Sequence, residues 1–137
     1  DTDEAICVID LDTVMPGSLL YDYGDSIRFG ASSGAEDEPD LDKIWCDMEL
    51  FRAYTKGYLE AIGDSITEKE IELLPFSAKL MTYECGMRFL TDYLNGDTYF
   101  KIHRPNHNLD RARTQFKLVA DMEKKMDEMK KIVKECM

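Results

Sequence analysis

The sequence predicts a mainly α single domain with one short β-hairpin at its N-terminus. The β-type signal is confined to residues 5–15, whereas the apolar residues after Ser18 recur at helical spacing. The chain has 137 residues, of which 44% are hydrophobic and 33% are charged, as in an ordinary globular domain. We therefore expect residues 1–137 to form one domain.

The predicted hairpin spans 5–15. Residues 5–9 are an apolar, β-branched run of the kind found in buried strands, and Pro16-Gly17 is a turn signal that ends the segment. A lone hairpin is marginally stable in water, so this one must pack on helices.

The helices are predicted from apolar periodicity and from capping residues. Ser18 and Asn108 are candidate N-caps, and Thr67 with Glu70 forms a candidate capping box. Pro75 should interrupt its helix, because proline removes a backbone donor and clashes with the preceding turn. The predicted helices cover about 19–29, 48–62, 68–74, 76–95 and 109–134.

The net charge and the cysteine content indicate which classes of partner and which cellular compartment suit this chain. The net charge of −11 argues against nucleic acid or an anionic membrane as the main partner, since both would repel the chain. No apolar run approaches the ~20 residues that span a bilayer, and the acidic start does not resemble a signal peptide. The four cysteines form no CxxC pair and are expected to be reduced and mostly buried, which favours a cytoplasmic location.

An acidic segment near the N-terminus is the first candidate for chemistry. Asp10 lies where an apolar run meets a loop, and a carboxylate there is costly to bury unless a cation or donors satisfy it. Together with Asp12 and Asp22 it could form an oxygen-rich Mg²⁺ site. The residues alone leave a second interpretation equally open, in which Asp10 and Asp12 bond their own backbone in a turn and Asp22 is a cap.

Two neighbouring motifs, ICVIDLDTVMPG (6–17) and LYDYGDSIR (20–28), resemble the metal-binding segment of the aminoglycoside phosphotransferase/choline kinase family, which has a protein-kinase-like fold. Further stretches are similar to the N-acetylhexosamine 1-kinase branch, and the resemblance runs through nearly the whole chain. These stretches are GYLEA (57–61), RFLTDYLNGDTYF (88–100) and NLDRAR (108–113).

The resemblance implies that the chain is the helical C-terminal lobe of an ATP- and Mg²⁺-dependent phosphotransferase. Its substrate hydroxyl would be the anomeric hydroxyl of an N-acetylhexosamine. Choline, homoserine and aminoglycoside acceptors remain alternatives, and so does a non-catalytic acidic helical interaction module.

The same resemblance implies roles for individual residues. Asp10 would hold Mg²⁺ against the nucleotide phosphates, with Asp12 as an outer contributor. Asp22 would be structural and brace the catalytic loop. Arg88 and Tyr99 would bond sugar hydroxyls; a planar donor fork and a phenol suit a neutral polar ring.

Phe29 would line the sugar pocket by the same resemblance. Without the resemblance, Arg88 reads as an ion-pair partner of Glu84 or Asp92, and Tyr99 and Phe29 read as core residues.

Phosphoryl transfer also needs groups that this sequence does not contain. Neither a Gly-rich phosphate loop nor a His-x-Asp-x-x-x-x-Asn catalytic loop precedes Asp10, so the resemblance puts the catalytic base N-terminal to Asp1. We therefore expect the chain alone to be inactive. We also expect it to self-associate through apolar surface, with the hairpin as the first candidate.

Three other residues suggest rival chemistry. His103 and His107 have the spacing of a metal pair, but zinc would need two further ligands, and pairing of Arg104 and His107 with the acidic loops is the more ordinary expectation. Cys85 could be imagined as a nucleophile, yet a mid-helix cysteine is usually packed.

Overall fold

The computed structural model describes residues 4–137, and the acidic start at residues 1–3 lies outside that range. Three short 3₁₀ turns accompany the helices, at Leu11–Thr13, Leu41–Lys43 and Gly63–Ser65. The mainly α prediction is confirmed. The four α-helices are α1 (Leu19–Gly30), α2 (Met48–Ile62), α3 (Glu68–Leu94) and α4 (His107–Glu135).

The predicted hairpin is not formed. Residues 5–10 have no regular structure, a 3₁₀ turn follows at Leu11–Thr13, and the part of the chain that the structure describes contains no strand. The reason is that no other element of the described chain packs on this segment. Among residues 4–137, the 3₁₀ turn at Leu11–Thr13 contacts no other helix or turn, and Ile6 and Val8 are 89% and 80% exposed. An apolar two-stranded ribbon has no stability without such a surface.

The helix ends mostly follow the sequence signals. The Ser18 hydroxyl accepts from the Leu20 amide at 3.3 Å, and Thr67 and Glu70 form the predicted reciprocal capping box. Gly63 and Gly96 have φ of +53° and +89°, which a glycine adopts without strain, so α2 and α3 end there.

The predicted break at Pro75 is wrong, because α3 runs unbroken from Glu68 to Leu94. Proline in a helix interior costs about 3 kcal/mol, so other interactions must compensate. Leu74, Pro75 and Ser77 are all buried, and the Ser77 hydroxyl donates to the Leu74 carbonyl at 2.8 Å. Packing on both flanks of the proline thus offsets the lost backbone bond.

Asn108 is not the N-cap of α4, because the helix already begins at His107. The residue that precedes it, Asn106, has φ +61°. The Asn108 side chain is fully buried and binds two carboxylates instead. Hydrogen bonds from a buried amide to two carboxylates stabilise the fold more than a solvent-exposed capping bond would.

Helix α3 is the centre of the fold, and α1 and α4 pack along two of its sides. Gly24 of α1 permits the first contact, since a Cβ there would lie 2.6 Å from the Ser77 carbonyl oxygen. Helix α4 packs through one apolar face, with Ala112, Val119 and Met122 among its buried residues. No helix in the region described is both long and apolar enough to cross a membrane.

Candidate functional site

A pocket of about 450 Å³ lies where the C-terminal end of α3 meets the connector that leads to α4. It contains Arg88 and Tyr99, two of the three residues that the resemblance connects with sugar binding. Its lining residues are Arg88, Thr91, Asp92, Asn95, Thr98, Tyr99 and Phe100.

Asp92 organises the connector that forms one wall of this pocket. One carboxylate oxygen accepts from the backbone amides of Thr98 at 2.9 Å and Tyr99 at 2.8 Å, and the other accepts from Phe100 at 2.9 Å. Three consecutive amides therefore converge on one side chain that is only 5% exposed. Burial alone would raise the pKa of Asp92, but these amide donors outweigh it and lower the pKa below its ordinary value.

Asn108 holds the same carboxylate from the side of α4. Its amide nitrogen donates to Asp92 and to Asp97, each at 2.9 Å, while its oxygen accepts from Arg111 at 3.0 Å. The end of α3, the connector and the start of α4 are thus tied by one buried network. Such a network keeps a single arrangement, because each broken bond leaves a buried polar group unpaired.

Arg88 and Tyr99 are brought together by this arrangement. The Arg88 guanidinium carbon lies 6.0 Å from the centre of the Tyr99 ring and 5.4 Å from that of Phe100, both within cation–π range. Phe100 packs on Phe89 at 4.7 Å between ring centres, whereas Tyr99 is 75% exposed. The connector therefore anchors one aromatic ring in the core and presents the next one at the pocket.

The ion pair expected for Arg88 is also present, but it is loose. Arg88 lies 3.7 Å from Glu84, and half of its side chain is exposed. Asp92, the other expected partner, is directed to the backbone instead. Arg88 therefore keeps donors for a ligand.

A second, larger cleft of about 600 Å³ adjoins Arg88 and is lined mainly by charged residues. Among its lining residues, Glu36 accepts from Arg28 at 2.7 Å and lies 3.8 Å from the Nε of Arg111. That Nε is buried and has no hydrogen-bond partner. Asp22 is exposed at the wall of this cleft, and its bracing role stays a prediction.

Phe29 is 71% exposed and lines a different, smaller pocket beside Ser32 and Gln115. It is therefore not a core residue. The pocket that contains Phe29 shares no lining residue with the pocket that contains Arg88 and Tyr99. The structure therefore does not bring Phe29 to these two residues.

Asp10 and Asp12 are exposed and lie on the segment that precedes α1. Asp10 has φ +64°, a left-handed conformation that aspartate tolerates better than most residues. Within residues 4–137, no three His, Cys, Asp or Glu side chains are grouped so that they could share a metal ion. Asp10 suits Mg²⁺ as a single hard oxygen ligand, because Mg²⁺ commonly takes one or two carboxylates and completes its shell with phosphates and water.

The rival sites have structural explanations. His107 accepts from the His103 amide at 3.1 Å and faces Asp37 at 3.0 Å, and Arg104 pairs with Asp37 and Asp110. The expected pairing with the acidic loop is confirmed. Burial raises the pKa of the Cys85 thiol to about 11, so Cys85 is a packed thiol and not a nucleophile at neutral pH.

Asp92 and Asn108 are the residues that sequence reasoning missed as a pair. The sequence suggests Asp92 as an ion partner of Arg88 and Asn108 as a helix cap, and neither pattern predicts a bond between them. The available signal was the helix stop Asn95-Gly96 shortly after Asp92, which turns the following amides back towards that side chain.

No known protein-family model matches this sequence.

Proposed function

We propose that this chain is the C-terminal lobe of a protein-kinase-like small-molecule kinase that uses ATP and Mg²⁺ to phosphorylate the anomeric hydroxyl of an N-acetylhexosamine. Arg88 and Tyr99 bind the sugar, and Asp10 binds the metal. The observation that carries the proposal is the pairing of Arg88 and Tyr99 in one pocket, at 6.0 Å from guanidinium carbon to ring centre.

The pocket chemistry favours a neutral polar acceptor. Arg88 offers several donors in a plane, and Tyr99 offers an apolar ring face with a phenol at its edge. Sugars present hydroxyls at the ring edge and C–H groups on the ring face, and these match both. The pocket is also open enough to admit a ring of that size.

The same chemistry argues against a cationic acceptor such as choline or an aminoglycoside. Asp92 is the one carboxylate among the residues that line this pocket, and both of its oxygens already accept from backbone amides. A cationic acceptor would therefore meet Arg88 without a free carboxylate to balance it.

The exposure of the Asp10 side chain and its left-handed backbone conformation support a role in metal binding. An exposed carboxylate is accessible to a Mg²⁺ ion that carries nucleotide phosphates, and left-handed non-glycine residues are enriched at functional sites. Mg²⁺ would neutralise charge on the transferred phosphoryl group, while Asp10 would fix the position of the ion.

The sugar proposal is tested by ligand binding to the chain itself. Saturation-transfer NMR should show that N-acetylglucosamine or N-acetylgalactosamine binds and that choline does not. Arg88→Gln and Tyr99→Phe should each weaken sugar binding roughly tenfold, because each removes hydrogen bonds made to the ligand. Arg52→Gln is the matched control, since Arg52 is an exposed arginine of α2 outside the pocket. Equal sugar binding by wild type and both pocket variants would contradict the proposal, and preferential choline binding would redirect it.

A phosphotransferase assay tests where the catalytic base lies. With radiolabelled ATP, Mg²⁺ and each hexosamine, the purified chain should show no turnover above background, because it contains no His-x-Asp-x-x-x-x-Asn loop. Enzyme-level turnover that Asp10→Asn abolishes would retain the metal role and refute the expectation that this chain lacks the catalytic base.

A further inference from the structure

One side of α3 is an exposed apolar stripe that the proposed kinase function does not use. Phe76, Leu80, Tyr83 and Met87 are 47%, 41%, 46% and 42% exposed, Leu94 is 73% exposed, and Leu90 between them is half-buried. The stripe covers roughly 27 Å of helix at ~1.5 Å per residue. Isolated exposed apolar residues are normal on a protein surface, but a continuous row of this length indicates a contact surface.

The spacing of the stripe fits a second helix as its occupant. Successive members are four, three, four, three and four residues apart, which is the alternation of a coiled-coil seam. The stripe members occupy a and d positions of the heptads, with Leu80, Met87 and Leu94 at a.

The neighbours of α3 leave this one side open. Helix α1 covers one flank, where Gly24 approaches Ser77 and Met81, and α4 covers the other, where Phe116 approaches Gly86. At the border with α4 the Tyr83 ring lies 5.8 Å from the Phe116 ring. The third side of α3 is therefore exposed and open to one further helix.

The charges beside the stripe favour a second copy of this chain, aligned in parallel. Lys79 and Glu84 lie on opposite flanks, at the g and e positions of successive heptads, and this is the pair that meets between the helices of a parallel dimer. In an antiparallel dimer paired about the middle of the stripe, Glu84 would instead lie close to Glu84 of the second copy, and the two like charges would repel each other. Lys79 lies 3.4 Å from Glu123 within its own chain, which leaves further ammonium donors for the partner.

The negative net charge of the chain is not shared by the segment of α3 that carries the stripe. Residues 76–94 carry Lys79 and Arg88 against Glu84 and Asp92, so the segment is formally neutral within a chain of net charge −11. Two copies can thus approach along α3 with less repulsion than along any acidic face.

We propose that the stripe formed by Phe76, Leu80, Tyr83, Met87, Leu90 and Leu94 is the interface of a two-fold symmetric, parallel homodimer in which α3 pairs with α3 of a second copy.

Sedimentation velocity over a concentration series tests this proposal. The wild-type chain should reach twice the 15.8 kDa mass of one copy as concentration rises. Leu80→Glu and Met87→Glu should each weaken association roughly tenfold or more, since each puts a charge at a buried seam position. Lys79→Glu should weaken it as well, and Lys79→Glu combined with Glu84→Lys should restore it. Leu50→Glu is the matched control, because Leu50 is 48% exposed on α2. Circular dichroism verifies that each variant is folded.

The outcomes are distinct. A wild-type chain that stays monomeric at every concentration overturns the proposal. A dimer that survives both seam variants but is lost in Ile6→Asp/Val8→Asp overturns it too, and identifies residues 5–15 as the contact. Failure of the charge swap to restore association, with the seam variants still disruptive, overturns the parallel arrangement.

Discussion

Asp92→Asn should loosen the connector that forms one wall of the pocket at Arg88. The asparagine amide would point an N–H₂ group at backbone N–H donors, so at least one of the three amide bonds from residues 98–100 must break. Tyr99 would then lose its fixed position beside Arg88. We expect faster hydrogen exchange at these three amides and roughly tenfold weaker sugar binding.

Two measurements separate this effect from a general loss of stability. Asp127→Asn removes the same charge at a fully exposed site of α4 and should change neither exchange nor binding. Amides in the middle of α2 should keep their protection in Asp92→Asn. Unchanged exchange at residues 98–100 would contradict the positioning role of Asp92, whether or not any sugar binds.

The network also has a pH dependence. Because the pKa of Asp92 is lowered in the folded chain, its contribution to stability is present above the ordinary aspartate pKa and is lost as the pH falls through the lowered value. Exchange at residues 98–100 should therefore speed up at acid pH in the wild type, beyond the intrinsic change. Asp92→Asn should not show that additional step.

Gly24→Ala should destabilise the fold by about 2 kcal/mol or more. The new methyl group would lie 2.6 Å from the Ser77 carbonyl oxygen and 2.6 Å from Met81 Cγ, so α1 and α3 would have to move apart. Overpacking of this kind costs about 3 kcal/mol, against which alanine regains about 1 kcal/mol of helix propensity. Urea denaturation followed by circular dichroism measures the difference.

Gly57→Ala is the matched control for this prediction. Gly57 lies in the interior of α2, is exposed, and has nothing within 4 Å of the position of an added Cβ. Alanine there should stabilise the chain by about 0.5–1 kcal/mol, because it restricts the unfolded state. Equal effects of Gly24→Ala and Gly57→Ala would show that the α1–α3 contact is looser than described.

Local signals were sufficient for most helix boundaries. Helix α2 was predicted at its observed bounds, and the capping box at Thr67 and Glu70 was predicted correctly, because caps and glycine stops act through bonds within a few residues. Asn108 shows the limit of such reasoning. Its residue type and position predict a cap, but its side chain is buried and donates to carboxylates from α3 and the connector.

The sequence by itself determined that the chain is mainly helical and where most helices begin and end. Tertiary structure alone decided three things: that α3 continues through Pro75, that residues 5–15 form no hairpin, and that Asp92 fixes Tyr99 beside Arg88. The physical reason is the range of the interactions. Caps and periodicity act along one turn of helix, whereas the burial of Pro75, the missing cover for a hairpin and the Asp92–Asn108 bond depend on segments that only folding brings together.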